Sequence, residues 1–369
     1  MRHLGGADLS RTRQDGAVPH TASSQAVATE SLMPAERPLV LLVPAPASAE
    51  RILTPETRAR LEGSFDVVEP ADEAAFDQLL PRAFAILGQP DLPTARLARA
   101  TQLRALLNVE GNFYPNVDYP TCFDRDIHVL GCGPAYGQAV AEYTLGLVLD
   151  LCRGISREDR AFRAGSERYN IDSSGDSILL QGADVGLIGF GNLGRALLPL
   201  LAPFRPTLRA YDPWLPDSVL RGHHVMPTGL AETLRASDIV IVLATVTPDS
   251  EQLLGGAELD LLPAGARLAL VSRAAVLDLD ALLDRVEQGR LTAAIDVWPD
   301  EPMPADHRAR RLPGLVLSAH RAGGIPAAFA QVGEMAVDDL ELIARDLPPV
   351  RMQVAARELV GRYRNRPVS

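Results

Sequence analysis

The sequence predicts an α/β fold built on doubly wound parallel sheets. Two observations carry this expectation. Short apolar runs alternate with amphipathic helical stretches along most of the chain. One of those runs feeds a G-x-G-x-x-G loop that opens a helix.

Taken in order, residues 1–37 are rich in Gly, Ala, Ser, Thr, Gln and Arg without periodic Leu or Val, and they read as a disordered tail. They lack the apolar core of a secretory signal. Leu39–Val43 is an apolar run closed by Pro44 and Pro46, the pattern of a buried strand. Thr54 suits an N-cap, with Pro55 at the first helical position. Phe65–Val68, Phe84–Leu87 and Leu106–Val109 are further strands. From Gln138 to Arg153, Val140, Thr144, Leu147, Val148 and Leu151 recur at helical spacing and predict one long helix connecting two domains.

A second series begins at Asp184. Its strands are Asp184–Ile188, Thr207–Tyr211, Asp238–Leu243, Arg267–Val271, Thr292–Asp296 and Leu315–Ser318. Leu193–Leu201, Leu230–Ala236 and Leu279–Glu287 are the helices between them, which implies right-handed crossovers and parallel pairing. Pro326 opens a last long helix towards Arg345. Residues 351–369, with Arg357, Arg362, Arg364 and Arg366, read as a solvated basic tail.

Composition narrows the function classes. The 369 residues suit about two domains, and the net charge is −11. That balance disfavours a nucleic-acid or anionic-membrane partner, and no apolar run approaches the roughly 18 residues that span a bilayer. All 36 cationic residues are arginine, which excludes Schiff-base lysine and P-loop lysine chemistry. Cys122, Cys132 and Cys152 are dispersed, fit a reducing cytoplasm, and form neither a disulfide frame nor a metal site.

The glycine loop is Gly189-Phe190-Gly191-Asn192-Leu193-Gly194. Gly189 permits the tight turn, Gly191 admits a pyrophosphate to the backbone, and Gly194 brings helix onto strand. Asp212 follows Gly191 by 21 residues, close to the spacing of a ribose-binding acid. An acid there accepts from both ribose hydroxyls and repels a 2′-phosphate, which favours NAD over NADP.

In an open parallel sheet, ligands sit beyond the carboxyl ends of the strands. Arg273, Glu301 and His320 each lie a few residues past such an end. Hydride transfer to a 2-oxo acid uses this set of groups. An arginine grips the carboxylate and polarises the carbonyl. A histidine supplies the proton, and a glutamate beside it favours imidazolium and fixes the ring.

Seven segments now fall into register: VAEYTLGLVL (140–149), VGLIGFGNLG (185–194), YDPW (211–214), SDIVIVLATVTPDS (237–250), SRAAVLDLDALL (272–283), AAIDVWPDEPMP (293–304) and LSAHRAGG (317–324). With these the chain resembles the D-isomer-specific 2-hydroxyacid dehydrogenases. The resemblance implies that Arg273 binds substrate, Glu301 partners the histidine, and His320 is the acid/base. It implies cofactor contacts at Gly189, Gly191, Asn192, Leu193, Gly194, Arg195, Asp212, Thr245 and Thr247. Asp296 would bond the nicotinamide carboxamide.

It implies also a Rossmann-type dinucleotide domain, 138–323, inserted into a smaller flavodoxin-like substrate domain of 38–137 plus 324–350. A hinge near Gln138 and Gly324 would close the cleft. A homodimer is implied, with Ser156–Asp176 as the arm.

The sequence departs from the family pattern at Leu270, Ala274 and Ala319, and its substrate loop reads Glu110-Gly111-Asn112-Phe113-Tyr114-Pro115. N–H groups near Gly111 and Asn112 remain candidates for holding a carboxylate. Phe113 and Tyr114 either shape a pocket for a bulky side chain or are core aromatics. The reading is therefore an NAD-dependent D-2-hydroxyacid dehydrogenase. The alternative is a non-catalytic NAD sensor or corepressor-like protein on the same fold.

Overall fold

The computed structural model describes residues 37–364; apart from Arg37, the expected N-terminal tail lies outside them. Thirteen strands follow in chain order: β1 (Leu39–Val43), β2 (Asp66–Val68), β3 (Ala83–Gly88), β4 (Ala105–Asn108), β5 (His128–Gly131), β6 (Asp184–Ile188), β7 (Thr207–Tyr211), β8 (Met226–Pro227), β9 (Ile239–Val242), β10 (Ala266–Leu270), β11 (Leu291–Ile295), β12 (Leu315–Leu317) and β13 (Gln353–Val354). They form two sheets.

The first runs β13-β5-β4-β3-β1-β2. Its five parallel strands have the flavodoxin order, and β13 joins antiparallel to β5. The second runs β12-β11-β10-β9-β6-β7-β8, wholly parallel. Its order reverses between β6 and β9, and that switch point opens a crevice beyond the strand ends.

Both sheets are covered on both faces, so their strands read as continuous apolar runs rather than alternating ones. Period two still shows in the packing. In β9, Val240 and Val242 join one core cluster while Ile239 and Ile241 join the other. In β1, Val40 and Leu42 face opposite to Leu39 and Leu41.

The connecting helix spans Gly133–Arg153, opens on Pro134 and ends at Gly154 in the left-handed conformation (φ +66°). It packs on the helix Asn192–Leu201, and Gly137 lies against Ala196 there. The last helix, Pro326–Ile343, returns to the first sheet and packs on the short helix Ala49–Ile52. At their crossing, a Cβ on Gly333 would lie 1.8 Å from Ile52 O, so only glycine fits.

The expected tail after 350 is corrected over the described residues. Asp339, fully buried, accepts from Val350 N (2.8 Å), Arg351 N (3.0 Å) and Met352 N (2.7 Å), and this turns the chain into β13. Of the arginines beyond, Arg357, Arg362 and Arg364 lie among the described residues and bond to the fold. Arg357 pairs with Asp124 and lies over the Phe123 ring. Arg362 pairs with Asp249 and lies over Trp214, and Arg364 N donates to Val246 O (3.0 Å).

Candidate active site

A cleft of about 870 Å³ lies at the strand ends of the two sheets. At one end is the glycine loop after β6. Gly189 sits at φ +90°, and a Cβ there would meet Ala244 N at 2.9 Å. Gly191 faces open space, which leaves room for an approaching pyrophosphate. The helix Asn192–Leu201 has no side-chain cap, so its first N–H groups are left for an anion. Gly194 does not reach the cleft; it sits under the Phe190 ring, with room for no more than a 3.1 Å contact.

Asp212 stands one residue past β7. Phe190 N donates to its Oδ2 (2.7 Å) and Trp214 N to its Oδ1 (2.9 Å), which fixes the carboxylate where the residue lines the cleft. Thr245 and Thr247 also line the cleft, where Ser250 Oγ donates to Thr245 O (2.7 Å) and accepts from Thr247 N (2.8 Å). Turn geometry, unfilled space and a free helix start fit a dinucleotide at this end.

At the other end, His320 Nδ1 lies 2.7 Å from Glu301 Oε2, and Trp298 N donates to Glu301 Oε1 (2.9 Å). The imidazole is thus fixed at Nδ1, and Nε2 is left for a ligand. His320 has φ +51°, a left-handed conformation uncommon outside glycine. Asp296 is what holds it there. Its backbone O accepts from His320 N (2.7 Å). Its carboxylate, fully buried, accepts from Ser318 Oγ (2.5 Å), Arg321 N (2.9 Å) and Ala322 N (3.1 Å). The side chain assigned to the carboxamide by resemblance therefore lines the cleft while organising the histidine loop.

Arg273 follows β10 by three residues and is partly buried, with Nη1 donating to Ser272 O (2.7 Å). Burial works against its charge, while Tyr114, Glu301 and Glu110 support it. Among the described residues no carboxylate lies within ion-pair distance of its guanidinium. Gly111 and Asn112 reach the same cleft. Phe113 and Tyr114 are both buried, 5% and 2% exposed; Phe113 nonetheless lines the cleft, while Tyr114 packs behind it.

Sequence reasoning missed several lining residues: Arg51 and Phe329 from the first sheet's surroundings, Trp214 beside Asp212, and Gln353 and Tyr363 from the C-terminal segment. Asn192 Nδ2 donates to Gln353 Oε1 (2.9 Å), and Tyr363 stacks on Phe113 at 6.0 Å. Only the YDPW segment carried a signal for any of these.

Residues 145–322 match the model of the NAD-binding domain of the D-isomer-specific 2-hydroxyacid dehydrogenases. That span includes Arg273, Glu301 and His320 but not the Glu110–Pro115 loop. A glyoxylate reductase of Thermofilum pendens is 29% identical over 244 residues, 64% of this chain and 71% of its own. A D-3-phosphoglycerate dehydrogenase of Methanocaldococcus jannaschii is 24% identical over 235 residues, 62% of this chain and 44% of its own, so the chain spans under half of that relative. A crystal structure of a phosphoglycerate oxidoreductase from Rhizobium etli is similar at TM-score 0.79 and 41% identity, over 87% of this chain and 99% of that one.

Proposed function

The chain belongs to the D-isomer-specific 2-hydroxyacid dehydrogenase family, an NAD-dependent oxidoreductase family, and from this we propose that it interconverts a 2-oxo acid and a D-2-hydroxy acid with Arg273, Glu301 and His320 as its working groups. One observation carries the reading: a Glu301-bound imidazole and a buried guanidinium share one cleft with the glycine loop.

NAD(H), when bound along the glycine loop and Asp212, supplies or accepts the hydride. Arg273 holds the substrate carboxylate in a two-point fork and polarises the C2 carbonyl, with N–H groups at Gly111 and Asn112 assisting. His320 gives a proton from Nε2 to the oxygen on C2 during reduction and takes it back during oxidation. Glu301 at Nδ1 favours the imidazolium that donates during reduction and that forms during oxidation, and keeps the ring aimed. The first sheet then forms the substrate domain, 38–137 with 324–364, since β13 joins that sheet, and the second the dinucleotide domain, 138–323. Closure between them would exclude water.

The test is NADH oxidation against a panel of 2-oxo acids. His320→Gln and Arg273→Ala are each expected to cut turnover by about 10²–10⁴, the range of a lost proton-transfer or anchoring group, while NADH still binds. Unchanged rates in either variant would refute the mechanism.

We propose a cytoplasmic location as well, supported by three buried free thiols. We also propose a homodimer. The helix Ile155–Ala164 buries none of its residues, and Ile155, Phe162, Tyr169 and Leu179 stand exposed on and after it.

A further inference from the structure

Resting on the reading of a 2-oxo acid held by Arg273, we propose that Glu110 selects among such acids, favouring a side chain that carries a hydrogen-bond donor such as a hydroxyl over one that is apolar or anionic.

Glu110 opens the loop after β4 and is held from several sides. Its N–H donates to Asn108 Oδ1 (2.8 Å), and the Asn108 amide in turn donates to Asn112 O. The Tyr114 hydroxyl donates to Glu110 Oε2 (2.6 Å). Tyr114 is buried in the core, and burial with the neighbouring carboxylate pushes its phenol well above the usual range, so it stays a donor. One carboxylate oxygen is thereby fixed. The other, Oε1, is buried and has no hydrogen-bond partner among the described residues, and the residue lines the cleft with Arg273. From the second sheet Ser272 reaches the same cleft, and its buried Oγ is likewise without a partner.

An acceptor left buried and unpaired is destabilising, and proteins keep such groups where a ligand completes them. Arg273 does not complete this one. The two charges support each other, yet the guanidinium bonds Ser272 O rather than Glu110. A substrate donor would satisfy Oε1. An apolar side chain would leave it dry and unpaired, and a phosphate would set a second anion against it. Sites built around a substrate hydroxyl discriminate strongly against analogues lacking it, for this reason.

The experiment compares kcat/KM for 3-hydroxypyruvate, for 2-oxobutyrate of equal heavy-atom count, and for the phosphorylated analogue of the hydroxy acid. In the unmodified enzyme the hydroxy acid is expected to exceed each of the others by at least about tenfold. In Glu110→Ala, with folding checked by NADH titration, the hydroxy-to-apolar ratio is expected to collapse by about the same factor, whereas Glu110→Gln, whose amide still pairs with a hydroxyl, is expected to keep more of it. Three results would overturn the proposal. One is parity of hydroxypyruvate and 2-oxobutyrate in the unmodified enzyme. Another is a faster phosphorylated acid, as binding at Arg51 would give. The third is an equal loss on all acids in both variants, which would make Glu110 a support for Arg273. Failure of every acid while NADH binds would overturn the dehydrogenase reading itself, and so is distinct from failure of the Glu110 assignment alone.

Discussion

Asp296 is fully buried one residue past β11, and both its oxygens accept from the segment that carries His320. Asp296→Asn would turn an amide N–H₂ towards backbone N–H groups and leave at least one donor unpaired. We expect a loss of about 2–4 kcal/mol in a urea titration and a lower kcat, with NADH affinity changed far less. At the other end of the cleft, Asp212→Ala is expected to raise the KM for NADH about tenfold and to narrow its advantage over NADPH, since about 1.4 kcal/mol separates each tenfold step. Kinetics with both cofactors would show this. These two acids also show what the sequence could tell. Asp212 was legible because its distance from Gly191 follows from one strand–helix–strand unit. The bonds of Asp296 to Ser318, Arg321 and Ala322 were not, because they depend on where β12 lies beside β11.

Among elements, those with strong local signals were readable. Leu39–Val43, Asp184–Ile188, Thr207–Tyr211 and Leu279–Glu287 have the bounds their patterns gave. The long connecting helix began five residues earlier than expected, because Pro134 serves as a first-turn residue rather than a barrier. The two-residue strands β8 and β13 had no local signal; only a neighbouring strand makes them. The crossing of Pro326–Ile343 over Ala49–Ile52 gives the test at this scale. Gly333→Ala would drive a methyl into Ile52 O, and we expect about 1–3 kcal/mol of destabilisation or more by urea midpoint, against little for Gly146→Ala, where the added methyl meets nothing. An unshifted midpoint for Gly333→Ala would contradict the close packing of these helices.

For the whole molecule, the net charge of −11 does not forbid an anionic substrate, because Arg51, Arg195 and Arg273 line the cleft. If the exposed face of Ile155–Ala164 docks a second copy, Phe162→Glu should convert a dimer to a monomer in light scattering while leaving the fold intact. A monomeric unmodified protein would remove that proposal. The thiols give a pH test. Burial pushes Cys122 up to about 11 and Cys132 up to about 12 from an ordinary 9.0. A raised thiol pKa means the folded state resists the thiolate. Stability from this source is present below the unfolded value and is lost as pH rises past it. Native protein at pH 8 should therefore react slowly with a thiol reagent, and denatured protein at once.

The chain has two tryptophans, and both stand at the cleft's working ends. Trp214 lines the cleft beside Asp212, and Trp298 donates from its backbone to Glu301 and from its ring to Ser318 O (2.7 Å). The tryptophan emission of this protein, selected by excitation beyond the tyrosine band, thus arises beside the cleft. A reduced nicotinamide absorbs where indole emits, so binding should appear as quenching by energy transfer with no label attached. Trp214→Phe and Trp298→Phe would divide that signal into an adenosine-side channel and a histidine-side channel, each reporting its own end of the cleft.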